Sequence, residues 1–299
     1  MARKTENEIK AIKAAAIHRV KAFFKEFAFV FGAFLVLNSF VLASFEVPTG
    51  SMENEIMTGD FLLVNKLVFG VTTPTTIPFT SARLPSFKLP ALWRVERGDV
   101  IVFSFPGNRD EVEPTEFAYY LKRCVGIAGD TIRIINKILY VNGQPAPVPR
   151  NVKFINNYIK PPGFAEPGIF PKGSLFNGDN YGPIVVPKKG DVISLRRDNF
   201  EAWEIFIRRE GHAAELKQST VLIDGMPQKS YTVGRDYVFG MGDNRDNSLD
   251  GRFWGFIPEE SVVGTPLIVY WSWDPDLPLT KILSKISSVR LNRVGTLVH

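Results

Sequence analysis

Residues 27–45, FAFVFGAFLVLNSFVLASF, run for 19 positions without one charged side chain. As a helix they would reach about 28 Å, close to the thickness of the hydrocarbon core of a bilayer. Seven of the 36 Lys and Arg residues, Arg3, Lys4, Lys10, Lys13, Arg19, Lys21 and Lys25, precede the run, and Glu46 follows it. Basic residues favour the cytoplasmic side of a span. The sequence therefore predicts a cytoplasmic basic tail over 1–26, a single transmembrane helix over 27–45 and an exported domain beyond it. A secretory leader has a shorter apolar core, about 7–15 residues, and a small-x-small cleavage pair, which does not follow here. Asn38, a neutral amide, is tolerated inside the span. The same basic tail accounts for much of the formal charge of +5, which would otherwise suggest nucleic acid.

The exported part reads as mainly β. Four Gly-Asp pairs each open an apolar, β-rich run: TGDFLLV from 58, RGDVIVF from 97, AGDTIRI from 128 and KGDVISL from 189. Glycine permits the unusual turn angles and aspartate hydrogen-bonds the turn, so each pair feeds a strand. YVNGQP at 140 and LIDGMPQ at 222 carry hairpin signals. Strands without intervening helices imply antiparallel sheets forming a partly closed, barrel-like core. Residues 145–187 are rich in Pro, Gly and Asn, and DNFEAWEIFIRREGHAAEL after them reads as a helix with Asp198 and Glu201 as an approximate capping box. The expected organisation is a catalytic β core over 46–144 and 231–299 with an inserted subdomain over 145–230.

Just past the apolar run, PTGSMENEI places Ser51 at the membrane edge. A nucleophilic serine needs a base. Only three histidines are present: His18 lies on the far side of the expected span, His299 is the last residue, and His212 sits in the inserted helix. A Ser-His-Asp triad is thereby disfavoured, and so is a histidine-rich zinc site. Cys124 is the single cysteine, which excludes an internal disulfide; it reads as a buried apolar residue. The remaining base at neutral pH is a desolvated lysine. In FAYYLKRCVGIAGD, residues 117–130, Lys122 and Arg123 interrupt a strand apolar on both faces, so one of them must point at a poorly solvated surface. Lysine can lose its proton there and arginine cannot. Half-deprotonation at pH 8 requires burial to disfavour the ammonium by about 3.3 kcal/mol.

Four segments, PTGSMENEI at 48, RGDVIVFSFP at 97, YYLKRCVGIAGD at 119 and MGDNRDNSLDGRFWGFIPEESVVG at 241, resemble in order and character the boxes of bacterial type I signal peptidases. The resemblance covers roughly 46–144 and 231–298, including the tail VRLNRVG. It implies a serine endopeptidase with a Ser/Lys dyad, Ser51 as nucleophile and Lys122 as general base, that needs no cofactor or metal. Thr49 matches the hydroxyl that joins the Ser51 amide in an oxyanion hole, and Ser248 matches the hydroxyl that orients the lysine amine. Asp243, Arg245, Asp250 and Arg252 match charged residues that brace the site by ion pairs, with Arg123 as a partner. Val47, Pro48, Met52, Ile56, Tyr120 and Leu121 match the lining of the substrate pocket.

The implied partners are signal-peptide-bearing preproteins and membrane lipid, with the secretion machinery as a further candidate, and the implied location is the bacterial cytoplasmic membrane with the catalytic domain on its outer face. The chain departs from the family in placing acidic residues in SMENEI, where relatives commonly have a proline, and in showing one span where many Gram-negative members have two. Two rival readings are a self-cleaving repressor and a non-catalytic anchored scaffold. The first would need a DNA-binding domain in place of residues 1–45.

Overall fold

The computed structural model describes residues 17–34, 41–70 and 91–299. Residues 17–34 form helix α1. The chain next appears as strand β1 (Leu42–Glu46), antiparallel to β2 (Asp60–Asn65) in a register that runs from Leu42↔Asn65 to Glu46↔Phe61. The expected span over 27–45 is corrected at its end: residues 42–45 are strand. A lack of charge does not separate a membrane helix from an apolar strand, and here a ladder partner settles the backbone. Residues 35–40 lie outside the described residues, and no helix among the described residues is long and apolar enough to cross a membrane.

The elements that follow are β3 (Val100–Ser104), β4 (Tyr119–Gly126), β5 (Thr131–Ile135), β6 (Ile138–Val141), β7 (Gln144–Pro145), β8 (Tyr181–Val185), β9 (Val192–Ser194) and helix α2 (Phe200–Arg209). Then come β10 (Ala214–Lys217), β11 (Thr220–Ile223), β12 (Met226–Pro227), β13 (Ser230–Thr232), β14 (Tyr237–Met241), α3 (Gly251–Trp254), β15 (Ile257–Pro258), β16 (Val262–Ser272) and α4 (Ile282–Ser287). Seven strands form one antiparallel sheet in the order β1-β2-β16-β3-β4-β14-β15. The sheet curls. Three strands lie between β1 and β4 in that order, yet the rings of Phe45 and Tyr119 meet edge to face at 5.1 Å.

Inside the curl, Val47, Met52, Ile56, Leu62, Val64, Val100, Val102 and Val269 form an apolar cluster. Ile101, Phe103, Cys124, Trp254 and Ile257 form another. β3 feeds both, because successive side chains leave a strand on opposite faces. Burying each of these side chains contributes about 1.5–3 kcal/mol, which fixes the strand that holds the site against both faces.

The Gly-Asp pairs act alike. Gly59, Gly98, Gly129 and Gly190 have φ of 84°, 101°, 90° and 89°, angles that any side chain would strain. The following aspartates each accept the amide three residues back: Met57 N to Asp60 (2.8 Å), Glu96 N to Asp99, Ile127 N to Asp130 and Lys188 N to Asp191 (2.9 Å each). A strand begins at or just after each. Asn142-Gly143 and Asp224-Gly225, all with positive φ, turn the β6–β7 and β11–β12 hairpins.

A second sheet, β7-β6-β5-β8, packs in the largest apolar cluster together with α2, through Phe200, Phe206 and Ile207. α2 is shorter than its sequence pattern suggests, since residues 214–217 are strand β10. The capping box is not formed: Asn199 occupies the cap without a side-chain capping bond, and Asp198 pairs with Arg196 at 3.1 Å.

Candidate active site

After β1 the chain makes a tight turn that carries Ser51. Glu53 N donates to Gly50 O (3.1 Å) and Ile56 N to Met52 O (2.9 Å), while Met52 and Ile56 plug the turn into the core beneath. The loop after β14 clamps it from the other side. Asn244 N donates to Ser51 O (3.0 Å), Asn244 Nδ2 to Gly50 O (3.1 Å), and Asp243 N to the Met52 sulfur (3.4 Å). Gly242 permits this approach: a Cβ there would stand 2.2 Å from Ser248 Oγ and 2.5 Å from Ser51 O.

Lys122 lies on β4 opposite Ile101 of β3. Its amine donates to Ser51 Oγ (2.7 Å) and to Leu121 O (3.0 Å). It sits 5.6 Å from the Tyr120 ring centre and 5.8 Å from that of Trp254. Gly240, whose Cβ would fall 3.1 Å from Lys122 Cβ, leaves room for the stem. Burial pushes the ammonium down to about 8; Asp250 and Asp243 pull it back up, and Arg252 pushes it further down. Among the described residues, no carboxylate contacts the amine.

The neighbouring residue, Arg123, is buried too but paired. Its guanidinium grips Asp243 at two points, Nε to Oδ1 (2.9 Å) and Nη2 to Oδ2 (2.7 Å), and also donates to Gly98 O. Arg252 holds Asp250 in the same manner (2.9 and 2.8 Å) and donates to Arg245 O. Burial would raise the Asp250 carboxyl, but Arg252 outweighs it and keeps the pKa low. Arg245, expected among the bracing ion pairs, makes none among the described residues. The Ser248 hydroxyl is buried beside Gly242 and, among the described residues, makes no hydrogen bond, the lysine amine included.

An apolar cleft of about 440 Å³ opens onto Ser51 and Lys122. Val47, Pro48, Met52, Tyr120 and Leu121 line it, together with Thr49; Ile56 does not, because it is fully buried beneath the turn. Phe45 and Tyr119 complete the walls. Period-two alternation could have found them, since each stands two residues before an expected wall residue on the same strand face. Asn247 and Leu249 also line the cleft, from a loop that no periodicity marks. β4 pairs with β3 over Tyr119–Arg123 but with β14 only from Arg123 onward, so its second edge is free along Tyr119–Lys122. The acidic SMENEI residues face elsewhere: Glu53 pairs with Lys153 at 2.9 Å, and Glu55 is buried with Asn151 and the His299 amide. His212 is exposed beside Asp224. No group of residues suited to a metal ion occurs among the described residues.

A turn-borne serine against a buried amine, at the mouth of a cleft in a curled β sheet, is the setting of a β-rich hydrolase. The chain belongs to the signal peptidase family, peptidase S26, a family of serine endopeptidases: residues 20–271 match it. It is similar to signal peptidase I of Pseudomonas aeruginosa (30% identical, covering 85% of this chain and 74% of that protein). Signal peptidase I of Buchnera aphidicola subsp. Schizaphis graminum is 29% identical, covering 96% of this chain and 85% of that one. The crystal structure of a signal peptidase I from Enterococcus faecalis V583 matches 58% of this chain and 98% of its own at 20% identity, with a TM-score of 0.29.

Proposed function

We propose that the chain is a membrane-anchored serine endopeptidase that removes signal peptides from exported preproteins after Ala-x-Ala-type sites, with Ser51 as nucleophile and Lys122 as general base. The observation that carries this reading is the 2.7 Å contact between Lys122 Nζ and Ser51 Oγ, made by an amine that touches no carboxylate. Once Lys122 is neutral its lone pair faces the hydroxyl and the bond reverses, Oγ–H to Nζ. The serine oxygen then attacks the scissile carbonyl as its proton passes to the amine. The Ser51 amide and the Thr49 hydroxyl serve as the oxyanion donors. As the C–N bond breaks, the Lys122 ammonium protonates the leaving amine. The neutral lysine then deprotonates a water that hydrolyses the acyl-enzyme.

The substrate adds as an extended strand to the free edge of β4, where main-chain hydrogen bonds supply affinity and the walls around Val47, Pro48 and Leu121 select small side chains. Anchorage is assigned to the apolar run over 27–45, whose first part lies in α1, where Phe27, Phe29, Val30 and Phe34 are all exposed. The basic residues before it place the N-terminus in the cytoplasm and the β domain on the outer face of the membrane. An anchored nucleophile a few residues past the membrane meets the cleavage site at the depth where it emerges. In this reading residues 46–144 and 231–299 form the catalytic core and 145–230 the inserted subdomain.

The test is covalent trapping. A serine acylator should add one acyl group to the full chain in detergent, mapped to Ser51 by peptide mass spectrometry, and Lys122→Met should not react. Labelling at another serine, or at Ser51 with equal speed in Lys122→Met, would contradict the assignment.

A further inference from the structure

The cleft that holds Ser51 runs between two lengths of chain, residues 45–49 on one wall and 118–122 on the other. At one end the rings of Phe45 and Tyr119 meet at 5.1 Å; at the other stand Ser51 and Lys122, joined at 2.7 Å. Between Tyr119 and Lys122 β4 rises about 10 Å, room for about three residues of an extended chain. Past Lys122 the edge is taken, with Met241 of β14 opposite Arg123 and Gly240 opposite Cys124. A strand laid on the free edge of β4 cannot run beyond Lys122. It has to leave the sheet at the bond that Ser51 attacks.

The loop after β14 closes that end of the cleft, through Asn247 and Leu249. Both stand close to the nucleophile turn. Asn247 N donates to Asn244 O (3.1 Å), and Asn244 N to Ser51 O (3.0 Å). Ser248 Oγ and Ser51 O lie 2.2 and 2.5 Å from the point where a Cβ on Gly242 would fall, so Ser248, next to Leu249, is a neighbour of Ser51. The loop is fixed along its length. Arg245 N donates to Lys153 O (2.9 Å), Arg252 Nη2 to Arg245 O (2.7 Å) and Gly242 N to Asp250 (3.1 Å), while Asp246 accepts the amides of Ile155 (2.8 Å) and Asn156 (3.1 Å). Ser248 and Asp250 are buried, yet Leu249 between them is 48% exposed. An apolar side chain is thus held out at the mouth of the cleft by a backbone fixed on both sides. Among the described residues, Glu46 and Lys122 are the only charged ones in the lining, and Glu46 belongs to the β1 wall.

We propose that Leu249 reads the residue that follows the scissile bond and favours an apolar side chain there. This rests on the reading of Ser51 and Lys122 as the dyad and of β4 as the edge on which the substrate docks. The acyl side of the substrate fills the length from Tyr119 to Lys122. The leaving side, forced off the sheet by β14, passes over the loop that closes the cleft, and its first side chain covers the exposed face of Leu249. When the C–N bond breaks, this segment departs with its amine. The contact therefore acts on formation of the acyl-enzyme and is absent during its hydrolysis.

The experiment uses three preproteins that differ only in the residue after the Ala-x-Ala bond, Leu, Gly or Asp, cleaved by the full chain in detergent. The kcat/KM values are compared as ratios within one enzyme, so the fraction of folded protein cancels. The parent should prefer Leu to Gly by about tenfold, the low end of what an apolar contact discriminates, because Leu249 is half open to water. Leu249→Ala should bring that ratio to within about twofold of one, and Leu249→Met, which keeps an apolar surface of similar size, should retain it. Leu249→Lys should shift the preference towards Asp, an opposite charge. The same Leu-to-Gly ratio in the parent and in Leu249→Ala would overturn the proposal while leaving the dyad in place. A parent that cleaves none of the three would overturn it together with the reading of Ser51 and Lys122.

Discussion

Arg123 of β4 and Asp243 of the loop after β14 close a two-point ion pair, and both side chains are all but sealed from solvent, at 6% and 0% exposure. The pair occupies the Asp243 carboxylate, as Arg252 occupies that of Asp250, and leaves the adjacent Lys122 with neither in contact. It also fixes the residue next to Asn244, whose amide holds Ser51 O. Asp243→Asn should therefore strand a buried guanidinium and cost about 3–5 kcal/mol of stability. Chemical denaturation of the purified variant reads this, and a loss under 1 kcal/mol would show that Arg123 finds another partner.

Lys122 is held at the expense of stability. Its folded pKa of about 8 lies below the unfolded value of 10.5, so between those values the unfolded chain binds more protons and stability rises with pH. Below pH 8 the full penalty, about 3 kcal/mol, is present; above pH 10.5 it vanishes. Lys122→Met should accordingly be inactive yet more stable than the parent at pH 7, with the gain shrinking towards pH 10. Paired melts at the two pH values test this, and a variant less stable at pH 7 would mean that the amine's contacts outweigh its desolvation.

Much of the fold was legible in the sequence. The four Gly-Asp turns and the Asn-Gly and Asp-Gly hairpins are local, their angles and bonds set by two or three residues, and they occur where those dipeptides stand. The proximity of Ser51 and Lys122 was reached by eliminating histidines and by the family resemblance, since 71 residues of chain separate them. What the sequence did not disclose depends on long-range pairing. That residues 42–45 are strand follows from their ladder with β2. That Ile56 sits under the nucleophile turn and not beside it follows from the Met52–Ile56 bond. Arg245 carries no mark in the sequence that sets it apart from the paired Arg252.

Gly242 is required by its neighbours and not by its backbone angles. Gly242→Ala would drive a methyl into Ser51 O and Ser248 Oγ, and neither the nucleophile turn nor the buried loop can retreat without moving the other. Turnover should fall at least about 10²-fold, the scale on which a misplaced reacting group is felt. Activity within threefold of the parent would show that the turn has slack.

Thr49 lies exposed on the cleft wall, one glycine before Ser51. As an oxyanion donor it would act only on the transition state. Thr49→Val should lower kcat by roughly 10²–10³ while KM stays put, and Thr49→Ser should keep most activity. Steady-state kinetics on both variants decide the role: a Val variant within threefold of the parent places the second donor elsewhere.

The central claim is that a neutral Lys122 takes the proton of Ser51. Its most direct measurement is the pH dependence of kcat/KM on a membrane-inserted preprotein with an Ala-x-Ala site, for the parent and Lys122→Arg. The account predicts that the parent rises with pH through a midpoint near 8, following the amine as it loses its proton. Lys122→Arg, which stays protonated, should lose at least about 10³-fold between pH 6 and 10. A parent profile flat over that range, or a folded Lys122→Arg enzyme within tenfold of it, would contradict the claim.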